Sequence, residues 1–204
     1  MKVSILIPWR TDHGQRERIW NYMHPLWEAT PFEICVGEDD DNGHPFNCSR
    51  ATNRAAKKAT GDVYVKLGAD HLPDVDAIKQ AVERTTDWPL WSFVFSGVFY
   101  YGKADTNRIL AGSNPKSFKP ENSDYSCQGI VAMRSGVWDS LGGMDERYEG
   151  WGYEDTDFLR RLSGGRERLL RHPSNLPWAY DLWHSGEHRD MSTNNPNRKL
   201  YEKG

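Results

Sequence analysis

The chain has 204 residues, with 26 basic and 29 acidic side chains and a net charge of −3. That length suits one domain of ordinary size, and the balanced charge offers no global field to recruit nucleic acid or an anionic membrane surface. Three cysteines, Cys35, Cys48 and Cys127, are too few and too scattered for a disulfide framework or a zinc site, and an odd count fits reduced thiols and a cytoplasmic location.

The first apolar run, Val3 to Ile7, is bounded by Pro8 and is too short for a signal peptide or a membrane span, so no membrane segment is expected. Its β-branched and aliphatic content reads as a strand buried on both faces, the first and central strand of a parallel sheet. A helix follows over about 15–28, with Ile19, Tyr22, Met23 and Leu26 on one face, and then a strand over 32–36. In such a βαβ unit ligands collect at the carboxyl ends of strands. Pro8, Trp9, Arg10, Thr11 and Asp12 should therefore face Glu38, Asp39, Asp40 and Asp41 across a pocket. The acidic run is either a solvated turn or, from Glu38 or Asp39, a ligand contact at the strand end.

Residues 48–70 read as a helix with alanines at 51, 55 and 59, a stop at Gly61 and a strand over 63–67. Small residues at every fourth position let that helix lie close on the sheet. Another helix is expected over 73–86, with Asp74 and Asp76 in its first turn, and a long aromatic strand over 90–101. Residues 102–125 are polar and lack apolar periodicity, so they read as a loop over the site or as a surface insertion. A strand over 128–133 and a short helix over 135–141 then lead into Gly142 and Gly143.

The stretch 141–162 starts irregular and Gly-rich and ends with Asp155, Phe158, Leu159 and Leu162 at i, i+3, i+4, i+7, one face of a helix. Glu154 and Asp155 fall in its first turn, where free N–H groups and the helix dipole favour ionised carboxylates. They serve either as caps, with Asp157 paired to Arg161, or as a general base. Gly150 and Gly152 flank Trp151, giving a backbone that moves and a flat face that stacks on a sugar ring. Nine tryptophans and nine tyrosines also fit a carbohydrate site. Beyond the helix come a strand over 166–171, the stretch 180–186 with Asp181 and His184, and a polar tail over 194–203.

The 141–162 segment resembles the C-terminal signature of β-1,4-galactosyltransferases and of glycosyltransferases of the bacterial chondroitin-polymerase type, Gly-Gly-x-Asp-Glu followed by Trp-Gly-x-Glu-Asp. Ile7-Pro8-Trp9-Arg10 and His24-Pro25 are similar to that family's first loop. The run from Asn53 to Asp70 is similar to the wider inverting superfamily. The resemblance implies an α/β fold, a single GT-A (Rossmann-like, nucleotide-diphospho-sugar transferase) domain over 1–204 with a mostly parallel central sheet. Residues 1–100 would form the nucleotide-binding half and 101–204 the acceptor and catalytic half. Animal relatives carry a membrane anchor, so only a catalytic core is expected.

By the same resemblance the chain is a metal-dependent, inverting hexosyltransferase using a UDP-sugar and Mn²⁺ or Mg²⁺. Asp155 is the base with Glu154 beside it. Pro8, Trp9, Arg10, Asp12, Glu38, Asp39 and Asn53 bind the nucleotide-sugar, and Trp151, Gly152 and Tyr153 form the acceptor site and lid. The metal falls to Asp70, His184 and Asp181, with His71 read as a neighbour. Gly68 stands where the family's D-x-D motif has its first aspartate, Tyr153 where the galactosyltransferases have glycine, and Asp181 where vertebrate ones have methionine. The loop from Asn195 to Arg198 would order when the donor binds. The acceptor would be a glycan, protein or lipid hydroxyl. Two alternatives stand beside this: a sugar-1-phosphate nucleotidyltransferase, for which 8–14 lacks the Gly-rich basic loop, and an inactive carbohydrate-binding GT-A-like protein, which has no use for metal ligands or Asp155.

Overall fold

The computed structural model describes residues 1–40, 43–87, 89–124, 129–166, 174–185 and 195–203. The first strand, β1 (Val3–Trp9), is buried at every position because it has parallel neighbours on both sides, β2 (Glu33–Glu38) and β3 (Val63–Lys66). It runs through Pro8 rather than stopping there. β3 pairs with it only as far as Leu6, so the missing N–H costs no bond on that side. The sheet has the order β2-β1-β3-β7-β4. β7 (Val131–Arg134) is antiparallel to both β3 and β4 (Trp91–Phe93), which makes the sheet mostly but not purely parallel.

Successive side chains of a strand point to opposite faces, and the two faces are covered by different helices. Ile5 and Ile7 pack with Ile19, Met23 and Trp27 of α1 (Gln15–Glu28) and with Ile78 of α3 (Val75–Arg84). Leu6 and Tyr64 pack on the other face with Ala55 of α2 (Cys48–Ala56), Trp138 of α5 (Ser135–Leu141) and Phe158, Leu159 and Leu162 of α6 (Glu154–Leu162). The α1 stripe is therefore i, i+4, i+8, and Leu26, expected on it, is 39 % exposed. The alanines of α2 do lie close on the sheet: a Cβ on Gly37 of β2 would overlap the Ala51 carbonyl. α3 begins two residues later than expected, because the Asp74 carboxylate accepts from Ala77 N at 2.9 Å and so caps it.

The aromatic run 90–101 is not one strand. β4 belongs to the large sheet and β5 (Gly97–Tyr100) to a second one of order β6-β5-β8. At the break, Ser96 Oγ donates to Leu176 O and accepts from Leu176 N, both at 2.9 Å. Ser96 and Gly97 are the mark in the sequence of where the pairing partner changes. The stretch read as a loop contains α4 (Lys103–Leu110), a 3₁₀ turn at Pro115–Ser117 and β6 (Asn122–Asp124). α4 buries only Thr106 and Ile109, too few to give a helical period. The tail is helical as well, α7 (Pro196–Lys203), and β8 is Trp178–Asp181. The strand expected over 166–171 lies, past Arg166, outside the described residues, as do Asp41, Cys127 and Gln128. No described helix is long and apolar enough to cross a membrane.

Candidate active site

Two charged clusters stand at the carboxyl end of the large sheet. The first joins the chain after β3 to the end of β8. Leu72 N donates to Tyr180 O at 2.9 Å and Leu182 N to Asp70 O at 3.1 Å, and His71 bridges Asp181. This backbone pairing brings Asp70, His71 and Asp181 together, with one ligand atom of each within 4.8 Å of the others. His71 Nδ1 lies 3.4 Å from Asp181 Oδ1, an attraction of charge without hydrogen-bond geometry. Both atoms are buried with no hydrogen-bond partner. His184 Nε2 instead sits 2.9 Å from Asp70 Oδ2, and its Nδ1 is 3.0 Å from Ser185 O.

Burial works to raise the Asp70 carboxyl, but the His184 hydrogen bond and the charge of His71 outweigh it and hold the group well below the usual range. Burial and the charge of Asp70 push Asp181 up. Burial works against protonation of His71, yet Asp181 overcomes it and carries His71 up to about 9. An unsatisfied Asp, His, Asp set of this kind is a donor set for a divalent cation. His71, read from sequence as a neighbour, is the histidine grouped with Asp70 and Asp181, while His184 is paired with Asp70. A cleft of about 460 Å³ opens beside the cluster, walled by Tyr100, Asn122, Asp124, Asp181, Trp183 and His184. Arg16, in the first turn of α1, lines a smaller recess with Trp9, Asp70 and His184. Its guanidinium lies over the Phe46 ring.

The second cluster is at the start of α6. Lys66 shares a strand face with Tyr64, the face that α6 covers, so its ammonium emerges beneath the helix start. Nζ is 2.6 Å from Asp155 Oδ1 and donates to Gly129 O at 3.1 Å. The Lys66 side chain is 5 % exposed and that of Asp155 33 %. Glu154 is not held ionised by the helix dipole as expected. Burial, then the neighbouring charge of Asp155, pushes it up to about 7, and its Oε2 is buried without a partner. Asp157 has the capping employment foreseen for it, bound by Arg161 Nε at 2.8 Å and also by Arg160 Nη2 at 2.7 Å.

Several residues expected on the nucleotide also hold the loops. The Asp12 carboxylate accepts from the N–H groups of Gly14, Arg16 and Glu17 at 2.8–3.2 Å and so starts α1. The Asp39 carboxylate is fully enclosed, 2.6 Å from Arg50 Nε, 3.6 Å from Arg10 Nη1 and accepting from Asn47 N at 2.9 Å; it has no free edge for a ribose. Asn53 exchanges hydrogen bonds with Met144 N and O, both at 2.9 Å, and fastens the Gly-rich turn after α5. Pro8 and Trp9 are buried at the strand end, while Glu38 is exposed at the rim.

Around Trp151, Gly150 and Gly152 have φ of +72° and +100°, and Tyr153, a non-glycine at +69°, precedes the helix. The Trp151 ring is 38 % exposed. Its carbonyl, however, accepts from Asn195 Nδ2 at 3.2 Å, and Asn197 Nδ2 donates to Glu149 O at 2.8 Å. The Tyr153 ring rests on Tyr201. Asn195 and α7 are thus docked on this loop; Asn194 lies outside the described residues. Sequence reasoning missed Lys66 and Arg16. A charged residue in the apolar run from Val63 to Leu67 was the signal available for Lys66.

Residues 107–185 match a family model described as the N-terminal domain of galactosyltransferase. The chain has no match among curated proteins. Among solved structures it is similar to Drosophila β1,4-galactosyltransferase 7 in complex with xylobiose, at 20 % identity and TM-score 0.57, over 98 % of this chain and 79 % of that one. It is similar over the same shares to a mutant of that enzyme with manganese, UDP-Gal and xylobiose, at 16 % identity and TM-score 0.56. A mannosyltransferase from Pyrobaculum calidifontis with GDP-Man and Mn²⁺ matches at 13 % identity and TM-score 0.50, over 92 % of this chain and 58 % of that one. At these identities the likeness is one of fold. The matched segment spans the signature helix together with Asp181 and His184, and the likeness to these solved glycosyltransferases gives the chain an α/β fold of the GT-A type.

Proposed function

We propose that the chain is a metal-dependent, inverting glycosyltransferase that moves a hexose or N-acetylhexosamine from a UDP-sugar to an acceptor hydroxyl of a glycan, protein or lipid. The observation that carries this reading is the Asp70, His71, Asp181 group, with two orphaned buried ligand atoms beside an open cleft. Structural neighbours bound to Mn²⁺ and to UDP-Gal or GDP-Man support it, and so does the contribution of both halves of the chain to one site.

When bound there, a divalent cation supplies positive charge against the departing diphosphate. Arg16, whose guanidinium has no hydrogen-bond or ion-pair partner among the described residues, adds charge from the α1 side. Asp155 takes the proton of the acceptor hydroxyl. That oxygen bonds to the anomeric carbon as the bond from that carbon to the diphosphate oxygen breaks, and the electron pair leaves with UDP. A single displacement inverts the configuration. Trp151 covers donor and acceptor and keeps water, the competing nucleophile, away. Because its backbone is held by Asn195 and Asn197, the covering motion belongs to the ring more than to the loop.

The test is UDP release from a panel of UDP-sugars with and without Mn²⁺, with the anomeric configuration of the product read by NMR. Metal-dependent release with inversion is expected. Pyrophosphate release would point to a nucleotidyltransferase, and a retained configuration would end the single-displacement reading.

A further inference from the structure

We propose that Lys66 is the positioning residue of the active site: its ammonium clamps one oxygen of the Asp155 carboxylate and turns the other to the acceptor hydroxyl. The inference rests on the reading of Asp155 as the base, and it concerns what holds that base in place.

The geometry is closed on three sides. Lys66 Nζ lies 2.6 Å from Asp155 Oδ1. The same ammonium is anchored to Gly129 O at 3.1 Å, on the chain entering β7, the strand that pairs Lys66 with Val131. A Cβ on Gly129 would strike Asp155 Oδ2, so the carboxylate lies flat against a backbone that only glycine leaves open. Among the described residues Oδ2 accepts no hydrogen bond, and the side chain is a third exposed while that of Lys66 is almost wholly buried. A buried ammonium costs free energy unless it is paired and hydrogen-bonded, and a lysine in a strand otherwise made of Val63, Tyr64 and Val65 has no packing reason to be there. Lys66 is fixed by two bonds within the protein, so its contribution is pre-organisation of the base.

The surrounding charges give the role a signature that packing alone would not. Glu154 and Asp155 are adjacent carboxyls in the first turn of α6, and Lys66 pairs with Asp155 while its charge also reaches Glu154. Burial holds Glu154 up near 7. Cys48, from α2, faces the same ammonium, but burial pushes its thiol up to about 12, so it brings no charge near neutrality. Among the described residues His71 also feels the charge of Lys66. Lys66 works to lower Glu154, so removing the ammonium takes away a charge that favours ionised carboxyls in this turn.

The experiment measures kcat and donor KM with Mn²⁺ from pH 5 to 9 for wild type, Lys66→Met, Lys66→Arg and Asp155→Asn. For Lys66→Met we expect kcat at pH 7 to fall by about 10- to 100-fold with donor KM within about twofold, and the acidic limb to move up by about one pH unit. Lys66→Arg keeps the charge and should restore the limb and most of the rate. Lys66→Gln, which keeps a donor and loses the charge, carries the same expectation as Met and serves if Met does not fold. A charge-free variant within about threefold of wild type at all pH values would overturn the proposal. So would equal losses in Met and Arg with an unmoved limb, because that describes a residue needed only for packing. Transfer by Asp155→Asn within about threefold of wild type would remove the base itself, and the positioning role with it; that failure is read without any Lys66 variant.

Discussion

The cluster at the ends of β3 and β8 and the cluster at the start of α6 are built from the same kinds of group, buried acids beside a basic partner, yet they differ in how far their polar atoms are satisfied. At α6 the protein brings its own cation: Lys66 is bonded to Asp155 and to a backbone carbonyl. At β3 and β8 the donors exceed the partners, and His71 Nδ1 and Asp181 Oδ1 are left buried and unbonded. A buried polar atom without a partner costs roughly 1–3 kcal/mol, which a folded chain tolerates where a ligand repays it. On the proposed reading, the unsatisfied group is where an external cation is expected, and the satisfied one is where the protein supplies its own.

The largest effect should come from breaking the assembled side. Asp155→Asn keeps the shape but cannot take the acceptor proton, so transfer should fall by about 10²- to 10⁴-fold while donor affinity, measured by calorimetry, stays near wild type. A parallel loss of donor binding would make Asp155 part of the donor site instead.

On the open side, Asp70→Ala and His71→Ala should each weaken Mn²⁺ binding by about 100-fold or more, and His184→Ala, which acts through Asp70, by about 10- to 100-fold. Manganese titration by electron paramagnetic resonance measures this without any turnover. If His184→Ala proves worse than His71→Ala, the third donor is His184 and the grouping around His71 is accidental. Because His71 is carried up to about 9 by Asp181 against burial and must lose its proton to bind metal, Mn²⁺ affinity should fall as pH is lowered below 9.

Glu154 sharpens the contrast through stability. Its carboxyl is raised from 4.5 to about 7, so between those values the unfolded chain has lost a proton that the folded chain keeps, and stability drops as pH rises through that window. The shift corresponds to on the order of 3 kcal/mol. Glu154→Gln should remove this loss, and its melting temperature relative to wild type should be higher at pH 8 than at pH 5. Equal differences at both pH values would mean that Glu154 is no strained acid. The smallest effect is expected at Trp151. Trp151→Ala should lower acceptor transfer by about tenfold and leave UDP affinity within about twofold; a large fall in melting temperature with unchanged transfer would make the ring a packing element.

Much of the frame was legible in the amino-acid order. The all-buried run of β1, the span of α1, the close-packing alanines of α2 and the apolar face of α6 are local patterns, because the period of apolar residues reports which side of an element is buried. The acids at the start of α6 and the two glycines around Trp151 could be read in the same way. What periodicity cannot carry is the identity of the partner. The run 90–101 is mostly apolar on both sides of Ser96 and Gly97, and only the third dimension divides it between two sheets. Lys66 meets Asp155 across 89 positions because β3 turns its even-numbered side chains towards α6. His71 meets Asp181 from far along the chain because the segment after β3 pairs with the end of β8. Asp12, Asp39 and Asn53 were legible as polar groups near the site, but a carboxylate or amide satisfies the nearest unpaired N–H or guanidinium, and in the folded chain those belong to its own loops. The sequence by itself thus determined the layers and the acid-bearing helix, while the tertiary structure decided which charges face one another, since ion pairing is set by distance in space and leaves no trace in spacing along the chain.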